Sequence, residues 1–419
     1  MTAEGGCRTS GQGGFMFEGM VAGARRVGIP APAGLAATGQ RLRERRAPHD
    51  PLRIEAQWDG QRVTAPAILD FDSRTPDTRQ LAGCTVGEAL ARLPVLCAAA
   101  PRAQTIVAMA AFVAAGAEGA ARGEARDEER TVAAETAQEH LSRLMLDWPV
   151  LFGHEPRRER FAVLHHGLAQ IGGGRAAYEL GGDLLDLVAV ELLGGFFRAT
   201  REPTALREFV ERARQGGTIG EALADLIEIG TSTSEHEGVP LLPSLSAQAW
   251  GETLGGLPSP QFCRTPSLHG QAHETGVLAR HAGSMLVRIL LTKGHRIAAR
   301  LFARVIDLAD CASRLRHPLA DDMPALLDAA PLGDRAGLAW VETAGGLVLH
   351  AVRLDDERIA EYSIIGPTQW NFHPEGPFMT EGSGWSAASI EAARLRFAAL
   401  VLSLDPGRDF EIVLKPVEG

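Results

Sequence analysis

Cysteine is scarce in this sequence of 419 residues, and the five present, Cys7, Cys84, Cys97, Cys263 and Cys311, include no Cys-x-x-Cys pair. So thin a scatter argues against a disulfide framework and a zinc ribbon and suits a reducing compartment. A basic surplus is missing as well. The 42 Lys and Arg stand against 52 Asp and Glu, a net charge of -10. With no basic stripe to attract a phosphate backbone, nucleic acid is not an expected partner. No apolar run reaches the roughly 18 residues that a membrane span needs. Arg25-Arg26 has the look of a twin-arginine signal, but Val27-Gly28-Ile29-Pro30 follows in place of a long apolar stretch. The expected location is therefore the cytoplasm. What the chain does have is 45% hydrophobic residues, enough at this length to bury a large core.

Residues 1 to about 48 are rich in Gly, Ala and Arg without a clear apolar period and read as a flexible arm. The folded domain is expected over 49 to 419. It opens at Leu52 with alternation around Asp59-Gly60, the short-range signal of a β-hairpin. Apolar spacing of i, i+3, i+4 then predicts helices over about 86 to 96, 102 to 118, 127 to 147, 157 to 171, 176 to 199 and 204 to 228. A loop region rich in Pro, Gly and Ser follows over about 229 to 270. Further helices are expected over about 276 to 309 and 321 to 330. Gly337 to His350 and Glu357 to Ile365 read as paired strands across an Asp355-Asp356 turn. A last helix over about 386 to 403 is stopped by Asp405-Pro406-Gly407.

Five segments concentrate the residues that can carry chemistry. The first runs from Leu93 through Cys97 and Pro101 to Gln104, and the second from Glu139-His140-Leu141 to Leu146-Asp147-Trp148. The third is Glu274-Thr275-Gly276-Val277-Leu278-Ala279-Arg280. The fourth joins Gly337–His350, with Glu342, to Tyr362 and to Pro367-Thr368-Gln369-Trp370-Asn371-Phe372-His373-Pro374. The fifth is Ser403-Leu404-Asp405-Pro406-Gly407-Arg408-Asp409-Phe410. Beside the third, His269 and His273 stand four apart, a zinc-chelating spacing only on a helix. The neighbouring Thr265-Pro266-Ser267 and Gly270 oppose a helix there.

In this order the five segments resemble the large subunit of nickel-iron hydrogenase, over about Leu52 to Phe410. That family carries Arg-Ile-Cys-Gly-Val-Cys-Pro and then a His, because a Cys-x-x-Cys turn brings two soft thiolates to one metal. Cys97 and Pro101 fit, while Ala100 stands for the second cysteine and Gln104 for the histidine. The third segment matches the family's Glu-Val-Gly-Pro-Leu-Ala-Arg at Glu274, Gly276, Leu278, Ala279 and Arg280, residues with structural roles there. In the fourth, Glu342, Gly346, His350, Tyr362, Trp370 and Asn371 fit, but the family's Pro-Arg pair has become Ala344-Gly345. In the fifth, Asp405 and Pro406 remain, and Gly407 and Phe410 stand for the Cys-x-x-Cys that ends the family's motif.

The resemblance implies a mainly α fold with small β elements: a large-subunit-like helical bundle with an N-terminal hairpin and a C-terminal β-containing segment. With most ligands replaced, hydrogen oxidation is not expected, since a bimetallic site needs several ligands to fix two ions. The pattern is similar to the hydrogenase expression/formation proteins of the HupK and HoxV type. It implies a maturation factor that transiently holds iron with its cyanide and carbonyl ligands, without nickel, and serves the large-subunit precursor alongside other maturation proteins. Cys97 is then the candidate iron-holding thiolate and Cys263 a second thiolate from a loop. Asp147, Glu342 and Asp405 outline the pocket behind them. Two other readings stay open at this point. One is a non-catalytic structural or quinone-binding subunit of a redox complex, and the other is a metal-free chaperone.

Overall fold

The computed structural model of the chain describes residues 51–69, 76–97, 99–194, 196, 203, 205–230 and 238–417. The arm expected up to about residue 48, and its boundary, lie outside the described residues. The hairpin forms as expected: β1 (Leu52–Trp58) pairs antiparallel with β2 (Val63–Ile68). Asp59 Oδ1 closes the turn by accepting from the backbone N–H of Gln61 and Arg62, at 2.8 and 2.6 Å.

Helices then dominate. α1 (Val86–Leu96) starts in a reciprocal cap between Thr85 and Glu88. α2 (Pro101–Ala114) follows after four residues, with Pro101 in the first turn, where no N–H is needed. α3 (Ala125–Ser142) runs into a π-helical turn, Arg143–Asp147. α4 (Arg158–Ala169) and α5 (Gly174–Asp186) match their expected positions, and α5 continues in a second π turn, Leu187–Leu192.

The helix expected over 386 to 403 forms as Ile390–Leu404, while the other helical expectations need correction. The helix expected over 204 to 228 is two, α6 (Leu206–Ala213) and α7 (Gly217–Ile229), divided where Gly217 takes φ +63°. The expected loop of 229 to 270 contains α8 (Ala247–Leu254) and α9 (Pro260–Arg264), each capped by a serine hydroxyl, Ser246 and Ser259. The helix expected over 276 to 309 is three, α10 (Val277–His281), α11 (Met285–Thr292) and α12 (Arg296–Arg316). The second break falls at Gly294, with φ +76°.

The helix expected over 321 to 330 is overturned. Leu327–Gly333 is an edge strand, β3, antiparallel to β4 (Ala336–Thr343). Its Pro331 is tolerated because an edge strand has one side free of ladder bonds. The strand expected over 337 to 350 is folded in two: Ala344-Gly345 make the turn between β4 and β5 (Gly346–Asp355), and β6 (Arg358–Ile365) completes a sheet of order β3-β4-β5-β6. Short α13 (Pro367–Asn371) and α14 (Pro377–Glu381) lead to α15 (Ile390–Leu404). A final strand without a counterpart in the sequence reading, β7 (Phe410–Pro416), pairs parallel with β1. It thereby fastens the end of the described chain to its beginning.

Alternation along the four-stranded sheet divides the core. Ala339, Val341, Val348, Tyr362 and Ile364 face the apolar side of α2, with Cys97 among them. Leu338, Trp340, Leu349 and Ile365 face Trp250, Trp370 and Cys263. α2 runs so close to the sheet that a Cβ on Gly337 would stand 2.3 Å from the Ala111 carbonyl oxygen. α12 crosses the largest cluster, against α3, α5 and α15. Among the described residues, no helix is long and apolar enough to cross a membrane.

Candidate functional site

α12 carries Arg296, Arg300, Arg304 and Asp307 at spacings of four, four and three, all buried, so one helical face draws charge into the core. Each rung holds one of the five segments or its neighbour. Glu274 accepts from Arg300 at 2.7 and 2.8 Å and from Arg296 at 2.5 Å. Glu381, at the end of α14, pairs with the same two guanidiniums. Burial alone would raise the Glu274 carboxyl, but Arg300 and Arg296 outweigh it and hold its pKa down at about 2.

One rung further, Arg304 Nη1 donates to Asp405 Oδ2 at 2.9 Å. Arg143, on the π turn, donates to Asp405 Oδ1 at 2.8 Å and to Asp147 Oδ2 at 2.7 Å. A π turn widens the helix by one residue and recurs at functional positions. Here Arg143, at the start of the turn, bridges Asp147 at its end to Asp405 of the fifth segment. Arg304 also donates to His140 Nδ1 at 3.1 Å. That fixes the tautomer, since His140 Nε2 must then donate to Asp307 Oδ2, 2.6 Å away. Asp307 also accepts from Arg280 at 2.9 and 2.8 Å and contacts His281 Nε2 at 2.7 Å. Although burial would raise the Asp307 carboxyl, Arg280 and the two histidines hold it well below the carboxylate range. Arg280 reaches on to Glu342 at 2.6 Å. Glu342 keeps 20% of its side-chain exposure, and burial of the rest raises its pKa despite Arg280.

The third, fourth and fifth segments are also stitched through neutral groups. Thr275 N donates to Asn371 Oδ1 at 3.0 Å, and Asn371 Nδ2 to the Leu404 carbonyl at 3.3 Å. Leu347 N donates to Thr275 Oγ1 at 3.0 Å. Gly276 takes φ +105° against the β4–β5 turn, where a Cβ would meet the Gly345 carbonyl oxygen at 2.9 Å. Gly276→Ala is therefore expected to cost about 1–3 kcal/mol from backbone strain alone, read as a lower urea midpoint at unchanged slope. Between these segments lies a cavity of about 10 Å³, room for one water. Its walls include Gly276, Arg304, Gly345, Asn371, Ser403 and Asp405.

The first segment meets the fifth through its backbone. Ala100 is left-handed, at φ +51°, and turns the chain from α1 into α2. The Glu135 carboxylate caps that start by accepting from the N–H of Arg102 and Ala103, at 3.0 and 2.8 Å. A Cβ on Gly407 would lie 3.6 Å from the Cβ of Ala99, so the loops that carry the two altered Cys-x-x-Cys motifs meet. Cys97 is buried beneath the sheet, and burial pushes its thiol up to about 12. Beside it, Tyr362 and Gln104 hold His350 from both ring nitrogens, at 2.8 and 2.7 Å. Cys263 lies across the sheet, against Trp250 and Trp370. The structure thus joins Asp147, Asp405 and the Glu274–Gly276 and Trp370–Asn371 motifs in one frame, with Arg280 and Glu342 on its flank, and sets Cys97 and Cys263 on opposite sheet faces. His269 and His273 sit about a turn closed by the Leu268–Gln271 bridge, not on a helix.

The residues that the sequence reading missed are the clamps: Arg143, Arg296, Arg300, Arg304, Glu381 and Glu135. The signal for three was present, as Arg296, Arg300 and Arg304 recur every fourth residue within a stretch, 296–306, that is otherwise apolar. Such spacing on one face announces buried partners, not a solvated stripe.

No family model matches the chain. Among solved structures, the nickel-iron-selenium hydrogenase of Desulfovibrio vulgaris Hildenborough in its reduced state aligns with a TM-score of 0.54 at 14% identity, covering 82% of this chain and 93% of that one. An oxygen-pressurised variant of that hydrogenase gives the same TM-score over 83% and 93%. These likenesses establish the fold, and the expected large-subunit-like architecture is borne out. Among curated proteins, the hydrogenase expression/formation protein HupK of Bradyrhizobium diazoefficiens is 30% identical over 370 residues, 85% of this chain and 94% of its own. The hydrogenase expression/formation protein HoxV of Cupriavidus necator is 30% identical over 308 residues, 66% of this chain and 75% of its own. HupK of Azotobacter vinelandii is 27% identical over 80% and 90%. On the hydrogenase fold, and with that identity along nearly its whole described length, the chain belongs to the hydrogenase expression/formation proteins of the HupK and HoxV type.

Proposed function

We propose that this chain works in nickel-iron hydrogenase maturation as a scaffold that receives iron with its cyanide and carbonyl ligands, holds it on Cys97, and yields it to the large-subunit precursor. The maturation role follows from the family, and the holding step is our reading. One observation carries it. The charged and hydrogen-bonded frame around Asp405 is built, while the two loops that meet beside it at Ala99 and Gly407 carry Ala100 and Gly407 where the family has cysteines. Cys97, at the edge of that loop, is the nearest soft donor in the matching segment.

The donor set fits a cargo that arrives with ligands of its own. Among the described residues, no group of three or more His, Cys, Asp or Glu side chains converges as a metal site. The protein therefore contributes an anchor and not a cage, and weak holding permits release. Nickel, which would need several thiolates, has no place in this reading, and we propose that the chain does not itself oxidise hydrogen. The partners are the large-subunit precursor and the maturation proteins that deliver the cargo. The four described cysteines are free thiols, in keeping with work in the cytoplasm.

Infrared spectroscopy tests the reading on protein purified without oxygen from cells that make the full maturation machinery. Cyanide and carbonyl stretching bands are expected in the wild type and absent in Cys97→Ala, with Cys263→Ala retaining them. A wild type without such bands would leave the chaperone or subunit readings instead. Hydrogen-dependent dye reduction by the isolated chain would sink the non-catalytic assignment.

A further inference from the structure

Cys97 closes α1 as its C-cap residue, with its N–H on the Leu93 carbonyl at 2.8 Å. Three residues on, the left-handed Ala100 is the N-cap of α2. A helix start is commonly held by a side-chain oxygen at this position, and alanine has none. The acceptor comes instead from another helix. Glu135 of α3 takes the N–H of Arg102 on one carboxylate oxygen at 3.0 Å and that of Ala103 on the other at 2.8 Å. The Arg102 guanidinium adds a bond to the Ala169 carbonyl at the end of α4, at 3.0 Å. The turn that leads from Cys97 into α2 is thus tied across the fold to α3.

The same face of α3 reaches the Asp405 frame. Glu135, Glu139, Arg143 and Asp147 follow one another at intervals of four, the spacing of neighbours on a helix surface. The charge of Glu139 acts on Glu135 on one side and on Arg143 on the other, and Arg143 grips Asp405. Eight residues separate Glu135 from Arg143, about 12 Å of helix at 1.5 Å per residue. α3 therefore fixes the start of α2 and the Asp405 loop against one another, where a Cβ on Gly407 would come 3.6 Å from that of Ala99. Stability does not account for the Glu135 carboxylate. Burial raises its pKa, with Glu139 adding to the rise, and the bonds from Ala103 and Arg102 lower it by less. A folded pKa above the unfolded one means that the ionised acid costs the fold stability at neutral pH. A charge kept at a net cost points to a role in position and not in stability.

The geometry assigns Glu135 as the positioning residue for the Cys97 thiol: it fixes the first turn of α2 and, through Ala100, the place of Cys97 beside the Asp405 loop. Glu135 acts on the thiol through the backbone that it holds, by way of the Arg102 and Ala103 N–H groups. The assignment rests on Cys97 as the holding thiolate and deepens that reading by naming what presents it.

Thiol labelling of the full chain tests the assignment without any cargo. Native protein is treated briefly with N-ethylmaleimide, and the cysteine peptides are read by mass spectrometry. Glu135→Ala is expected to label at Cys97 about tenfold faster than the wild type, the effect of losing two bonds to a charged acceptor, while Cys84, Cys263 and Cys311 keep their rates. Glu135→Gln keeps one acceptor oxygen and should fall between the two, at a urea midpoint close to that of the wild type. No rise at Cys97 would overturn the proposal, and so would an equal rise at all four cysteines, which is what a merely structural role produces. Amide exchange reads the wild type alone. The Arg102 and Ala103 N–H groups should be protected, unlike uncapped first-turn amides, and rapid exchange there would overturn the assignment whether or not the variants fold. Infrared spectra of protein from cells with the full maturation machinery separate the two readings. Cyanide and carbonyl bands that keep the wild-type frequencies in Glu135→Gln would overturn the positioning role. A wild type without bands would sink the holding of iron and leave the labelling result to decide on Glu135.

Discussion

Asp405→Asn is expected to cost about 3–5 kcal/mol of folding stability, the penalty for breaking a buried ion pair from one side. The carboxylate is 4% exposed and takes Arg143 on one oxygen and Arg304 on the other. An amide offers one acceptor and turns two N–H donors toward the remaining guanidinium. The loss leaves Arg143 and Arg304 desolvated with less counter-charge, and that, more than the missing bonds, sets the size of the effect. Urea unfolding followed by circular dichroism measures it, and a loss under about 1 kcal/mol would contradict the tight-clamp account. The same substitution should loosen the loop that carries Gly407, because Asp405 is left-handed at φ +50° and its side chain holds it there. A variant that remains folded yet loses the cyanide and carbonyl bands would tie that loop to cargo holding, even with Cys97 intact.

Asp405 also illustrates what the sequence discloses and what it withholds. Its motif was legible, as were Glu274, Gly276, Arg280, Trp370 and Asn371, because each stands in a short run whose order along the chain is specific. The hairpin around Asp59-Gly60 and the long helices were legible from period alone. The partners of Asp405 were not, since Arg143 is 262 residues away and Arg304 101, and nothing in local spacing tells which carboxylate a buried arginine meets. Ala344-Gly345 shows a second limit. As a sequence change it reads as the loss of a cationic side chain, and only the fold reveals that the pair makes the tight β4–β5 turn against Gly276. β3 escaped because its Leu-Asp-Ala-Ala run suits a helix, and pairing with β4 overrode that preference. The sheet between Cys97 and Cys263 is likewise a tertiary fact, invisible to spacing.

Acid is expected to destabilise the protein in two windows, and the first belongs to histidine. Burial lowers the His350 pKa from 6.5 to about 3; the neutral ring suits its partners, with the Gln104 oxygen requiring a hydrogen on Nε2 and Tyr362 donating to Nδ1. A folded pKa below the unfolded one means that the unfolded chain binds the extra proton between those values. Stability is therefore full above 6.5 and falls as the pH drops toward 3, by about 1.4 kcal/mol per unit for this one group. His140, also lowered by burial, adds in the same direction. The second window opens lower, where Glu274, held at about 2 against an ordinary 4.5, surrenders its contribution as the pH falls from 4.5 toward 2. Urea midpoints at several pH values between 7 and 4 test the first window. His350→Gln should reduce the slope between roughly pH 6 and 4.5 by about 1.4 kcal/mol per unit while leaving the lower window in place. An unchanged slope would mean that His350 is protonated in the folded chain, and the Gln104–His350–Tyr362 assignment behind Cys97 would have to be reversed.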